Sequence, residues 1–386
     1  MAGLSAPQFA FVGDAASERA GEAGIWRSEN GGISWKEIRF QTGGNPLPLS
    51  IHDLTFHPHY RDTVLMGTRG NGLWKSDNNG MSWKRINDRA GILQNNADIY
   101  GAAVSPASPA VWYVAAYQNG RGEVLKSLDG GSSFAKIYHL NGGGIPIVGL
   151  FAYADNSERV LIATANGGFL QTSDGGASWG SVSWSSGNIT AIRVNPANPD
   201  EIIIWIAGGK IMRSQDGGLT WRSVNSPDRG ETSGMFSYNG PRVGQESAGL
   251  STDSLPPDNS SKPGFQFDLG AIFSPLNKGS DDFIISPSDR RARYLKSGSN
   301  IYRSGDGGGS WNPVHTSLSP RTRLDAVAVD PFNADNVFFT ASGEFHKSTD
   351  GGATWEMRDL PPNMKGRIRI LRISTHNPEI MFAVTQ

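Results

Sequence analysis

Apolar positions along this chain come in short alternating runs, and the runs come in pairs. Leu54–Met66 and Ile192–Ile204 each hold two such runs around a Pro/Asn turn, and further copies begin at Ala103, Ala271 and Val327. Alternation with a period of two places one face of a strand against a core, so each pair predicts two half-buried β-strands. A third run then leads into a tight polar turn, as in Ser28-Glu29-Asn30-Gly31-Gly32-Ile33-Ser34-Trp35. The turn recurs from Ser76, Ser127, Thr172, Ser214, Ser304 and Ser348, each time with a Trp or Phe at its end. The copies lie about 45 residues apart, with one gap of about twice that, which is the period of a four-stranded propeller blade.

The pattern therefore predicts an all-β fold, a seven-bladed β-propeller of four-stranded antiparallel blades forming a single domain over residues 1–386. Arg369–Gln386 supplies two strand-like runs with no turn motif after them, whereas the first motif has little ahead of it. The predicted closure places the C-terminal strands in one blade with the N-terminal hairpin, which leaves no free sheet edge at the junction. An eighth, partly formed blade in the long gap is the alternative. The excess there, Asn225–Pro263, is rich in Gly, Ser and Pro and reads as an inserted loop on the face opposite the motif turns. Met235, Phe236, Tyr238 and Phe265 lie in or beside it and would anchor it on a partner as an assembly arm.

In the turn motif a carboxylate or amide (Asn30, Asn78, Asp129, Asp174, Asp216, Asp306, Asp350) precedes glycine, the chemistry of a hairpin whose backbone visits positive φ. Its side-chain oxygen can accept hydrogen bonds from the turn's own amides and hydroxyls. The aromatic residue (Trp35, Trp83, Phe134, Trp179, Trp221, Trp311, Trp355) starts the returning strand and can be buried between blades. These repeats resemble the Asp-box (BNR) repeats of sialidases, xyloglucan-active hydrolases, sortilin-like receptors and the photosystem assembly factor family. The resemblance implies a propeller whose boxes are structural staples on the rim, away from the working face.

Net charge is −1, which argues against general nucleic-acid binding. No cysteine is present, so there is neither a disulfide framework nor a thiolate metal site. The start, Met-Ala-Gly-Leu-Ser-Ala-Pro-Gln, lacks a basic segment followed by an apolar one, and no run approaches a membrane span. The expectation is a protein that is not exported by the usual route and that needs no cofactor or metal.

Candidate chemistry gathers on the face opposite the boxes. A loop between the second and third strands of one unit is expected at 289–296, carrying Arg290, Arg291, Arg293 and Lys296, with Arg321, Arg323, Lys365 and Arg367 in connections nearby. Such a cluster suits an anionic partner, a phosphate or a carboxylated sugar, and equally a solvated, salt-bridged rim. A sialidase would need three converging arginines and a Tyr/Glu pair; Tyr238 and Glu246 are present without catalytic spacing, and the Arg-Ile-Pro start motif is absent. Asp53, Asp98 and Asp325 lie near strand starts and could line a glycosidase cleft. His57 and His59 flank a proline that holds the chain extended and points the rings apart, against a metal pair.

The expected function is that of a non-enzymatic scaffold with protein partners, assembled in a host cytoplasm as a virion component of the phage-tail nozzle kind. A glycan-active or glycan-binding propeller is the first alternative, and a cytoplasmic assembly factor the second.

Overall fold

The computed structural model describes residues 24–42, 45–46, 49–141, 143–224, 236–237, 282–289, 291–316, 318–319 and 322–385. They form strands and turns, with no helix among them. Seven antiparallel sheets of four main strands make a propeller ring. The inner strands of blades one to seven are Ser50–Phe56, Asp98–Val104, Ile147–Ala152, Ile189–Val194, Asp282–Ile285, Leu324–Val329 and Ile368–Ile373. Each sheet is a meander that runs outward from its inner strand, as in blade one through Val64–Arg69, Leu73–Ser76 and Lys84–Arg85.

Blade seven closes the ring as the sequence predicts. Its inner and second strands, Ile368–Ile373 and Met381–Thr385, come from the C-terminus, and its third and outer strands, Ile25–Ser28 and Lys36–Ile38, from the N-terminal part. The seam is an antiparallel ladder from Ile25 opposite Val384 to Ser28 opposite Met381. Pairing the two ends of the chain turns two edges into interior strands. No eighth blade occurs among the described residues.

The repeated turn, between the third and outer strands, is held by its own side chains. The Ser127 hydroxyl donates to Asp129 at 2.8 Å and accepts the amides of Asp129 and Gly131, while Asp129 accepts the Ser133 amide and hydroxyl at 2.8 and 2.6 Å. Asn30 and Asn78 keep the same amide bond through Oδ1 and donate from Nδ2 to Ser34 and Ser82. A further bond ties each turn to the turn between the first two strands of its own blade. The amide of the residue immediately before the motif's second glycine position donates to a carbonyl there in every blade, for example Gly31 to Glu379 and Gly130 to Ala110. Both sets of turns therefore share one face of the disc, the turn face, and the inter-blade connections lie on the other.

The aromatic that ends each turn packs on the preceding blade. Trp35 meets Phe345 edge-on at 5.7 Å, Trp179 lies 5.0 Å from Tyr138, and Trp221 lies 4.8 Å from Phe169. Trp355 donates to the His315 carbonyl at 2.9 Å across the next interface. Glycine is required beneath such a ring: Gly32 has φ +87°, and a Cβ there would lie 2.3 Å from Phe345.

Hydroxyl and amide donors depress the turn carboxylates. Asp129 is lowered to about 2 by the Ser133 hydroxyl and amide and by Ser127; at Asp174 burial pushes the other way but is outweighed by Ser178 and Thr172, again leaving about 2. Asp216, Asp306 and Asp350 are also lowered. A carboxylate depressed by folding stabilises the native state above its unfolded pKa near 4, and that stabilisation is lost as pH falls toward 2. Replacing the five aspartates with Asn, as at positions 30 and 78, should preserve the fold and move the acid-unfolding midpoint to lower pH. An unchanged midpoint in a tryptophan-fluorescence pH titration would show that these turns do not govern acid stability.

Candidate functional site

The inner strands carry a shared irregularity at the connection-face end. In six blades a β-bulge leaves one residue unpaired: His52, Tyr100, Val148, Thr190, Asp325 and Arg369 in blades one, two, three, four, six and seven. Bulges re-aim a side chain at the cost of a ladder bond, and they recur beside functional sites. Here they encircle the ring axis. Of their five polar members, Thr190 lies on blade four and the other four, Asp325, Arg369, His52 and Tyr100, fall on four consecutive blades, six, seven, one and two, across the chain-closure seam.

On blades six and seven the polar arc is cationic. Arg367 donates through Nε and Nη2 to Asp325 at 2.8 Å, and Asp325 is largely covered whereas Arg367 is half exposed. Arg323 joins them: burial lowers its pKa first, the neighbouring Arg367 and Arg369 lower it further, and Asp325 opposes. The Nε of Arg323 is buried and hydrogen-bonds to no other protein group. Arg323 and Arg367 thus stand beside one carboxylate, with Arg369 neighbouring Arg323, in a partly desolvated setting where charge-assisted bonds to an incoming carboxylate are strongest.

On blades one and two the arc is buried and close to neutral. His52 stacks on Tyr100 at 5.0 Å with 18° between the planes. Burial, then Arg69, pushes His52 down to about 4, so the imidazole is neutral at physiological pH. Neither His52 nitrogen nor the Tyr100 hydroxyl bonds another protein group. Asp53 accepts the Thr55 hydroxyl at 2.9 Å, and burial pushes it up to about 7 against the opposing effect of Arg372.

The three carboxylates expected near strand starts are each engaged by other groups of the protein. Asp53 is 1% exposed, Asp98 accepts the Gly70 amide at 2.6 Å, and Asp325 is tied to Arg367. Glu246 and Tyr238 lie outside the described residues. His57 and His59 occupy a turn on the opposite face, their rings 5.8 Å apart at 67°, and His57 Nδ1 accepts the amides of His59 and Tyr60.

The expected arginine cluster is divided. The described residues of 289–296 are not a loop on the connection face: 286–289 and 291–292 belong to the turn between the first two strands of blade five, on the turn face, and Arg293–Ser297 is its second strand. Arg291 is exposed in that turn. Arg293 is 3% exposed because Glu201 of blade four pairs with it at 2.6 Å, and Glu201 also takes Arg213 at 2.6 Å. Lys296 is buried within the strand. Arg323 and Arg367 do share a site, while Arg290 and Arg321 lie outside the described residues. Arg369, His52 and Tyr100 went unrecognised as site residues. Their signal was the recurrent aliphatic residue before each bulge: Ile51, Ile99, Ile147, Ile189, Leu324 and Ile368.

Of the expected assembly arm, Met235, Tyr238 and Phe265 lie outside the described residues. Phe236–Ser237 forms a short fifth strand on the outer edge of blade four, with Phe236 opposite Trp221 and Ser237 opposite Thr220. At that point the insertion runs beside the blade, near the turn-face end of its outer strand, rather than above the connection face.

No protein-family model and no curated protein matches the chain. Solved structures do. A structure of YCF48 bound to D1 peptide matches with a TM-score of 0.59 at 12% identity, over 96% of this chain and 99% of that one. YCF48 from Cyanidioschyzon merolae matches with the same TM-score and identity, over 92% and 99%. The GH74 xyloglucanase from Xanthomonas campestris matches with a TM-score of 0.56 at 16% identity, over 86% of this chain and 50% of the enzyme. At these identities the shared property is the propeller fold.

Proposed function

We propose that this chain is a non-enzymatic interaction subunit of a larger assembly, of the kind a phage tail requires, and that its connection face takes carboxylate-bearing protein segments. The observation that carries the reading is the placing of Arg323 and Arg367 beside Asp325, with Arg369 neighbouring Arg323, at the inner-strand ends of blades six and seven. A guanidinium presents a planar fork that matches a carboxylate, so an acidic side chain or a chain terminus is the group this arrangement fits. A fold-mate described as bound to a peptide supports the use of this architecture for peptide capture. The glycan-active alternative asks for two carboxylates facing a cleft at one of two set separations. The engaged states of Asp53, Asp98 and Asp325 argue against it.

The test is fluorescence anisotropy with a labelled Glu/Ala decapeptide and its Gln/Ala counterpart bearing a C-terminal amide. The acidic peptide should bind in a salt-sensitive manner and the neutral one should not. Arg323→Ala with Arg367→Ala should weaken binding at least about tenfold while the thermal transition is retained. Equal binding of both peptides, or wild-type affinity in the double variant, would overturn the reading.

A further inference from the structure

Among the described residues the two faces of the disc differ in charge. On the turn face every repeated turn contains a carboxylate and none contains Lys or Arg. Six of the seven turns between first and second strands add more, against Arg61, Arg159 and Arg291 among the described residues. Arg27, Lys75, Lys126, Arg159 and Arg303 neutralise Glu29, Asp77, Glu158, Asp155 and Asp335. Asp62, Asp200, Glu379 and the five motif aspartates form no ion pair with described residues, and donor hydrogen bonds keep the motif aspartates ionised.

Among the described residues, the inter-blade connections on the opposite face are richer in cations. Arg39, Arg89, Arg323, Lys365 and Arg367 stand there; Glu37 pairs with Arg39 and Asp325 with Arg367, while the oxygens of Asp88 are taken by the amides of Ala90, Ile92, Leu93 and Phe134.

Exposed apolar side chains are distributed just as unevenly. Ile33, Met81 and Leu219 occupy the same position of three repeated turns and are 55%, 57% and 53% exposed, and Leu128, Tyr60 and Phe332 also project from the turn face. Among the described residues, Ile92 and Met357 are the large exposed hydrophobics that lie elsewhere. An acidic surface studded with apolar side chains has the make-up of a contact surface whose partner is basic.

We infer that the turn face docks on the connection face of a second copy of this chain, so that discs stack head to tail. The complement of each face is present on the same molecule, on its other side. A heterologous contact related by translation along the disc axis does not close, so it generates an open stack rather than a dimer. The inference rests on the reading of the connection face as a carboxylate-binding surface and names its partner: the inner turn ring of the next copy, with Asp62, Asp200 and Glu379.

The test is sedimentation velocity on the full chain across concentration, at about 50 mM and about 1 M salt, conditions between which the screening length shortens severalfold. At low salt the weight-average mass should rise with concentration beyond the dimer, and at high salt it should fall to the monomer. Lys365→Glu with Arg367→Glu, or Asp62→Lys with Glu379→Lys, should each weaken self-association at least about tenfold. Circular dichroism checks that each variant is folded. Mixing the two folded variants should restore association, because the reversed faces complement each other. A monomer at every concentration and salt, or association indifferent to both reversals, overturns the stack. If wild-type protein stays monomeric yet binds the acidic peptide, the stack alone fails; if peptide binding is also absent, the reading beneath it fails.

Discussion

Deletion of Ile380–Gln386 is expected to abolish cooperative unfolding. The deletion removes the strand Met381–Thr385, which is bonded on one side to Ile368–Ile373 and on the other to Ile25–Ser28. Without it the N-terminal hairpin has no partner, and the ring opens at the seam. The loss reaches both neighbouring interfaces: Phe382 and Val384 pack with Leu54 and Phe56 of blade one, while Met381 and Ala383 pack with Phe338 and Phe345 of blade six. Met381 and Phe382 are fully buried, and truncating side chains of that kind costs about 2–5 kcal/mol each. Together with the lost ladder this matches or exceeds the whole stability of an ordinary domain, about 5–15 kcal/mol. Denaturant titration followed by near-ultraviolet circular dichroism and by dye binding to exposed apolar surface should show a broad, non-cooperative change. A truncated chain with the parent's sharp transition would mean that the seam contributes nothing to closure.

The repeat made the blades legible, because a turn recurring once per four-stranded unit marks both the period and the phase of each unit. Closure was legible for the same reason: two strand runs lacked a turn at one end of the chain, and a turn lacked strand runs at the other. Arg291, Arg293 and Lys296 were misplaced because a charged run after a Pro/Ser turn has the composition of a loop. Arg293 lies inside a sheet because Glu201, ninety-odd residues earlier in the chain, supplies its countercharge, and a partner across a blade interface leaves no trace in local composition. The bulges were missed for a related reason. One extra residue breaks the period-two alternation at the place where His52, Tyr100, Asp325 and Arg369 are re-aimed. The recurring Ile or Leu before each bulge was the available clue, and it identifies a strand position rather than a site.

Glu201 provides the second large expected effect. Blades four and five are separated in the chain by the long insertion, yet they are joined by a charged cluster as well as by the apolar contacts of Ile203, Trp205 and Ile211 with Phe283 and Leu295. Glu201 is 2% exposed and accepts from Arg293 Nη2 at 2.6 Å and Nε at 3.2 Å, pairs with Arg213 at 2.6 Å, and accepts from Asn195 Nδ2 at 2.6 Å. Burial pushes its carboxyl up, but Arg293, Asn195 and Arg213 outweigh that, and its pKa lies below the ordinary carboxylate value. Glu201→Ala leaves Arg293 as a buried cation without its countercharge, a change that destabilises by about 3–5 kcal/mol. Arg213, less buried, can turn partly to solvent. The double variant Glu201→Leu with Arg293→Met removes the charge along with its partner and should recover most of the loss, since an apolar replacement of a buried pair is often neutral. Urea denaturation of the three proteins measures the difference. A Glu201→Ala variant within about 0.5 kcal/mol of the parent, the range of ordinary surface substitutions, would show that this cluster does not hold blade five to blade four.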